Sequence, residues 1–415
     1  MRSVRKPRLL WANCYCLLDT SSGASISVRE MLRQLARMGF EVAIIGATIF
    51  DSETGMSVLP ANWKKRLETV DILVLSDPPL VHKLLMTNSH IRDRMMVFEE
   101  AKWYELYLHT LDSFSPDIVW FYGGRPFDYL IADEAKHRGI PVAAYLANGN
   151  YTKTRWCRDV DLIVCDSQAT AGYYRARNGI SPLPVGKFID PDAVVAQEHV
   201  RRNTLFVNPS LEKGAALVVQ IAMRLEKQRP DIRFEVVSSR GNWSELVRSI
   251  SALMGTPRDA LENVLLTRHA TDMRPVYARA RIVLAPSLWW ESGSRVLAEA
   301  MLNAVPAIVT DRGGNVEMIG GGGVTIALPE RFYQKPYMQL LDQALLDHVV
   351  GSIIELYDSE STYNGYIERA GAAGKSLHDM ASSSQKLLHV MRRLLPSDAI
   401  PSGFDVPTAS PSDRS

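Results

Sequence analysis

Short apolar runs recur along the chain with helix-length intervals between them, and this restricts the fold more than any other feature. In the first half they fall at 9–13, 42–46, 72–76, 118–122, 142–146 and 162–165, and in the second at 205–208, 234–238, 264–267, 282–285, 307–310 and 324–327. Each run is continuous rather than alternating, as expected of strands covered on both faces. Between the first two, Val28, Met31, Leu32, Leu35 and Ala36 recur at helical spacing, and Gly39 ends the helix. Further helices are predicted over 215–228, 243–254, 273–279 and 295–302. Strand, helix, strand at this spacing is a βαβ unit. The 415 residues exceed what one core supports. The predicted architecture is therefore α/β: two successive domains, each a mostly parallel sheet covered by helices.

The join is placed near 183–191, where two prolines and a glycine interrupt helical periodicity. This divides the chain into an amino-terminal domain over 1–190 and a carboxyl-terminal domain over 191–380. A last helix, near 381–395, is expected to pack back on the first domain. A tail over 396–415, rich in Ser, Pro and Asp, is predicted to be disordered.

Forty-seven Lys and Arg against forty-six Asp and Glu leave a formal charge of +1, which argues against a nucleic-acid-coating protein. Cys14, Cys16, Cys157 and Cys165 form no CxxC pair and read as reduced, mostly buried thiols. The basic amino terminus precedes too short an apolar run for a signal peptide, and no stretch approaches the roughly 20 apolar residues of a membrane span. A soluble, cytoplasmic protein is the expectation.

Open α/β sheets bind ligands at the carboxyl ends of their strands, so two such sheets direct attention to the cleft between them. The most informative loop runs from Ala285 through Pro-Ser-Leu-Trp-Trp to Glu291-Ser-Gly-Ser-Arg295, with a helix predicted to start near Ser292–Ser294. Amides at such a helix start suit a phosphate, and flanking carboxylates accept hydrogen bonds from sugar or ribose hydroxyls. Locally, Glu291 could equally cap the helix, and Glu299 could equally lie on a solvated helix face.

Glu291 and Glu299, separated by seven residues and followed by Ala300-Met301, resemble the E-x7-E motif of retaining GT-B glycosyltransferases of family GT4. Three further segments strengthen the resemblance. Asn303-Ala-Val-Pro-Ala-Ile-Val-Thr-Asp-Arg-Gly-Gly-Asn-Val-Glu317 is similar to the family's next strand and Gly-Gly-x-x-Glu turn. Asn208-Pro-Ser-Leu-Glu-Lys-Gly214 is similar to its phosphate loop, and Gly23-Ala24 to its amino-terminal glycine loop. The likeness spans about Leu9 to Leu328, strong in the second half and loose in the first.

The resemblance implies the GT-B fold, two Rossmann-like domains facing across a cleft, and residue roles within it. Glu291 would hold hydroxyls of the donor sugar, and Glu299 the ribose of the nucleotide. Lys213 would neutralise the departing diphosphate, assisted by the helix start at Ser292, Gly293 and Ser294. The family usually places an arginine where this chain has Asn208; Arg295 is the candidate replacement, or simply lies along the helix. His269 marks the loop that seats the nucleobase. On the acceptor side, Gly23 and Asn148 are candidates, with tight turns explaining both equally well. The family's histidine after the fifth strand is missing, since Ala147 or Asn148 stands there; the leaving phosphate is thought to take the acceptor proton in such enzymes.

The implied function is transfer of a sugar from a nucleoside diphosphate donor to a hydroxyl acceptor with retention, in surface glycan, polysaccharide or glycolipid biosynthesis. The nucleotide sugar serves as co-substrate, with no other cofactor and no essential metal. Asp159-Val-Asp161 precedes a strand and Asp190-Pro-Asp192 lies in the linker, so both read as turns rather than metal ligands. A glycan, a lipid-linked chain or a small molecule could be the acceptor, and peripheral contact with the inner membrane face stays open, as does oligomeric state. The rival reading is a non-catalytic partner subunit that binds a nucleotide sugar without turnover.

Overall fold

The computed structural model describes residues 5–66, 71–239 and 241–399. In the first lobe the strands are β1 (Arg8–Ala12), β2 (Glu41–Ala47), β3 (Ile72–Asp77), β4 (Leu80–Leu85), β5 (Ile118–Phe121), β6 (Val142–Leu146), β7 (Leu162–Cys165) and β8 (Leu183–Pro184). They form one sheet in the order β3-β4-β2-β1-β5-β6-β7-β8. In the second lobe β9 (Asn203–Val207), β10 (Phe234–Val237), β11 (Val264–Thr267), β12 (Ala280–Ala285), β13 (Ala307–Thr310) and β14 (Gly323–Ile326) are ordered β11-β10-β9-β12-β13-β14. Two parallel-sheet α/β lobes are thus present. The only antiparallel pair among the described strands is β3 with β4, at the edge of the first sheet.

Strand pleating distributes each run between two cores. Leu9 and Trp11 pack on one face with the helix Gly23–Arg37, while Leu10 and Ala12 pack on the other with Trp103, Tyr107 and Leu111 of the helix Val97–Phe114. In the second lobe Phe206, Ile282, Leu284 and Ile308 face the helix Ala215–Gln228, and Leu205, Val283 and Val309 face Leu297, Ala300 and Met301. Every described strand running into the second lobe's sheet is parallel, so its loops converge at one end.

The edge hairpin corrects the strand inventory. β4 is absent from the predicted runs because its burial alternates: Val81 and Lys83 face out while Leu80, His82 and Leu84 face in. The last helix is Met380–Met391, extended by a 3-10 turn at Arg392–Leu394; its Leu387, Leu388 and Met391 join the first lobe's core beside Leu9 and Trp11. Of the predicted tail, Ser397–Ala399 form a short 3-10 turn, and residues 400–415 lie outside the described residues. All four cysteines are free thiols. Among the described residues no helix is long and apolar enough to cross a membrane.

Candidate functional site

A cavity of about 950 Å³ lies between the lobes at the carboxyl ends of both sets of strands. It has the size and position expected of a ligand cleft in paired α/β sheets. Gly23, Asn148, Asn208, Lys213, His269, Glu291, Gly293, Ser294, Arg295 and Glu299 all line it. Ser292 does not: its hydroxyl donates to the Leu146 carbonyl at 3.2 Å and faces the other lobe.

The wall of the second lobe carries the carboxylates. β12 ends at Ala285, and residues 286–294 loop to a helix at Arg295–Leu302, the predicted segment, with Ser294 as its N-cap. Glu291 therefore does not cap the helix. Its carboxylate is ion-paired with Lys213 and accepts from the Ser287 hydroxyl at 3.0 Å. Burial alone would raise the Glu291 carboxyl, but the adjacent ammonium outweighs it and holds the group below its ordinary range. Lys213 ends a 3-10 turn, Leu211–Lys213, after β9, and its ammonium lies 5.2 Å over the Trp289 ring.

Glu299, one turn into the helix, is 6% exposed, which removes the solvated-face reading. It accepts from the Tyr277 hydroxyl at 2.9 Å and pairs with Arg295 at 2.6 Å. The Arg295 guanidinium also donates to the Phe188 carbonyl at 3.2 Å, so this side chain spans the join between the lobes. Asn208 sits at φ 63°, a left-handed turn directly after β9 that asparagine tolerates.

On the first lobe, Gly23 is the first residue of its helix, capped by Ser22, and a Cβ there would meet nothing within 4 Å. Local turn geometry does not require glycine at 23; the space beside it belongs to the cavity. The Asn148 side-chain oxygen accepts from the Asn150 amide at 3.0 Å, which is the turn reading. His269 is 3.1 Å from the Thr20 hydroxyl of the opposite lobe. Burial lowers the His269 pKa, against a smaller upward pull from Asp19.

Several residues of consequence were not singled out by local pattern. Lys187, in the linker, reaches Asp166 at 2.8 Å; their side chains are 4% and 1% exposed, and Tyr145 donates to the same carboxylate at 2.8 Å. Burial pushes the Asp166 carboxyl up, with Lys187 opposing it. The available signal was a lone lysine between Val185 and Phe188, both fully buried. Asp128 also lines the cleft, and burial raises its carboxyl to about 6. Among the described residues no group of three His, Cys, Asp or Glu stands in metal-binding array.

Residues 201–338 match the family model described as Glycosyl transferases group 1. Spore coat protein SA of Bacillus subtilis is 26% identical over 129 residues, 30% of this chain and 34% of that protein. A second Bacillus subtilis protein, YtcC, is 24% identical over 182 residues, 42% of this chain. These matches span about a third of each relative's length, 34% and 37%. Sucrose-phosphate synthase from Thermosynechococcus elongatus superposes with a TM-score of 0.68 at 13% identity, covering 94% of this chain and 99% of that one. HepE of Anabaena, solved in complex with UDP and glucose, superposes at 0.65 and 13% identity, covering 94% and 100%. The chain has the GT-B fold, and its second lobe is similar to the glycosyl transferases group 1 family.

Proposed function

We propose that this chain is a glycosyltransferase that moves a sugar from a nucleoside diphosphate sugar to a hydroxyl acceptor, with retention at the anomeric carbon and without an essential metal. One observation carries the reading: a lysine, two buried glutamates and a helix start converge on a single wall of an interlobe cavity. The similarity of residues 201–338 to glycosyl transferases group 1 supports it. So does the likeness to HepE, which was solved with UDP-glucose.

In the proposed reaction the bond between the anomeric carbon and the diphosphate oxygen breaks, and its electrons remain on the phosphate. The acceptor oxygen bonds to the same carbon, and its proton passes to the departing phosphate. Lys213 and the amides near Gly293 and Ser294 stabilise the charge that develops on the leaving group, the role a metal plays elsewhere. Glu291 accepts hydroxyls of the sugar and Glu299 those of the ribose. The first lobe supplies the acceptor's wall, so closure assembles the site. A cytoplasmic location, peripheral contact with the inner membrane face, and a role in surface glycan or glycolipid synthesis belong to the same proposal.

Thermal stabilisation by UDP-, GDP-, ADP- and TDP-sugars identifies the donor base, because a ligand of the folded state alone raises its apparent stability. Release of free nucleotide and the anomeric configuration of the product, read by NMR with and without EDTA, then test the chemistry. Binding without any nucleotide release would replace the proposal with a non-catalytic partner subunit.

A further inference from the structure

The loop that carries Glu291 is held by the lobe opposite to the one it belongs to. Three consecutive residues make the attachment. The Trp290 indole N–H donates to the Thr170 hydroxyl at 3.2 Å, and its ring stacks on Tyr173 with centroids 4.0 Å apart and planes inclined by 27°. The Glu291 backbone forms an antiparallel bridge with Asn148. The Ser292 hydroxyl donates to the Leu146 carbonyl and accepts from the Asp166 amide at 3.4 Å.

The slot that receives Trp290 is cut by a glycine. A Cβ on Gly149 would stand 2.6 Å from Trp290 Cβ and Cγ, closer than any side chain tolerates. Trp290 itself does not line the cavity, whereas Trp289 and Glu291 on either side of it do. Its indole is therefore spent on the opposite lobe and not on the ligand. On the loop's other side, Gly313 and Gly314 crowd it: a Cβ on Gly313 would lie 2.2 Å from the Glu291 carbonyl, and the Gly314 amide donates to that carbonyl at 2.8 Å.

We propose that Trp290 is a positioning residue, a latch that fixes Glu291 in its reactive place only when the lobes are together. This rests on the glycosyltransferase reading for the reaction it serves, but the latch itself rests on the contacts that Trp290, Glu291 and Ser292 make with the first lobe. Because Lys213 and Glu299 belong to the second lobe, nucleotide binding survives loss of the latch; because the loop that carries Glu291 is braced from the first lobe as well as from its own, turnover does not.

The test compares Trp290→Ala, Trp290→Phe and Gly149→Ala in the full chain, with the donor base chosen by thermal shift. Expected for Trp290→Ala is a fall in kcat of tenfold or more, with affinity for the nucleoside diphosphate kept within about twofold. Trp290→Phe, which keeps the stack and loses the N–H, should recover part of kcat. Gly149→Ala, a change in the other lobe, should reproduce the Trp290→Ala loss, and the two together should cost less than the product of the separate effects. X-ray scattering without ligand should show a larger radius of gyration for both alanine variants. Unchanged kcat and scattering, or a parallel loss of nucleotide affinity, would overturn the latch. If the parent releases no nucleotide from any donor, the proposed reaction fails, and scattering alone decides the latch: a radius equal to that of the parent refutes it.

Discussion

Lys213→Ala perturbs the site at its charge balance, and stability and turnover read the two halves of that balance separately. The Lys213 and Glu291 side chains are 22% and 8% exposed, so the carboxylate is the more deeply buried partner. Removing the ammonium leaves the Ser287 hydroxyl, 3.0 Å away, as a remaining donor. An uncompensated buried polar group costs about 1–3 kcal/mol, which is the expected loss at neutral pH. The sign of the pH dependence follows from Glu291. In the parent its folded pKa lies below the unfolded value, so its contribution is present above the ordinary glutamate range and is lost as pH falls through the folded pKa. In the variant burial dominates and the folded pKa rises above the unfolded one, so stability is lost as pH rises instead. The gap between parent and variant therefore opens as pH increases through the ordinary glutamate range. Urea midpoints at pH 4 and pH 7 measure it, and turnover with the identified donor should fall about a hundredfold, on the order of 3 kcal/mol of transition-state stabilisation. A gap of equal size at both pH values would refute the electrostatic reading of the pair, and turnover within threefold of the parent would refute the role of Lys213.

Glu299→Gln breaks the 2.6 Å ion pair with Arg295, and nucleotide affinity measured by calorimetry should weaken about tenfold, roughly 1.4 kcal/mol. Lys187→Met strands the Asp166 carboxylate in the join between lobes and should destabilise the chain by about 3–5 kcal/mol in urea unfolding, the usual cost of removing one partner of a buried pair. His269→Asn should flatten the acid side of the stability profile. Burial lowers the His269 pKa, so the parent loses stability as pH falls from the ordinary histidine range towards the folded pKa, and thermal melts between pH 7 and pH 5 would show the difference.

The parallel interior strands were legible because both faces are covered, which makes their sequences continuous and apolar: β5 and β6 are buried at every position. β4, second from the edge between β3 and β2, was not, because one of its faces meets solvent at Val81 and Lys83 and the polar pair His82-Lys83 interrupts the apolar run. The same distinction separates the site residues. Glu291, Glu299 and Lys213 stand directly after strands or within the following helix, so chain position alone delivers them to the cleft. Trp290 and Asp166 meet partners across the join between lobes, Thr170 and Ser292, which lie 120 and 126 residues away in sequence, and Lys187 reaches Asp166 from 21 residues away. No local period encodes such a contact. Glycines at 149 and 293 carry a trace of it, since a Cβ at 293 would stand 2.7 Å from Asp166 Cβ, but a glycine beside a strand end reads first as a turn.

The cations nearest the strand ends share one arrangement that bears on how the proposed donor would enter. Lys213 faces Glu291, Arg295 faces Glu299, and Lys187 faces Asp166. Each is a neutral pair, which suits a partly desolvated cleft, because an unpartnered charge there would cost several kcal/mol. An arriving diphosphate would thus exchange one anionic partner of Lys213 for another rather than fill a bare positive site. The exchange has a chemical consequence at Glu291. Once the ammonium turns to phosphate, the carboxylate regains acceptor capacity on the side facing the cavity, where sugar hydroxyls supply donors. Binding of the leaving group and recognition of the sugar are then one event. Arg295 enters it differently, since it also holds the Phe188 carbonyl at 3.2 Å: releasing Glu299 to the ribose would leave the guanidinium anchored at the lobe join. Asn208 therefore need not be matched by a second mobile cation, provided the lobes stay together while the diphosphate departs.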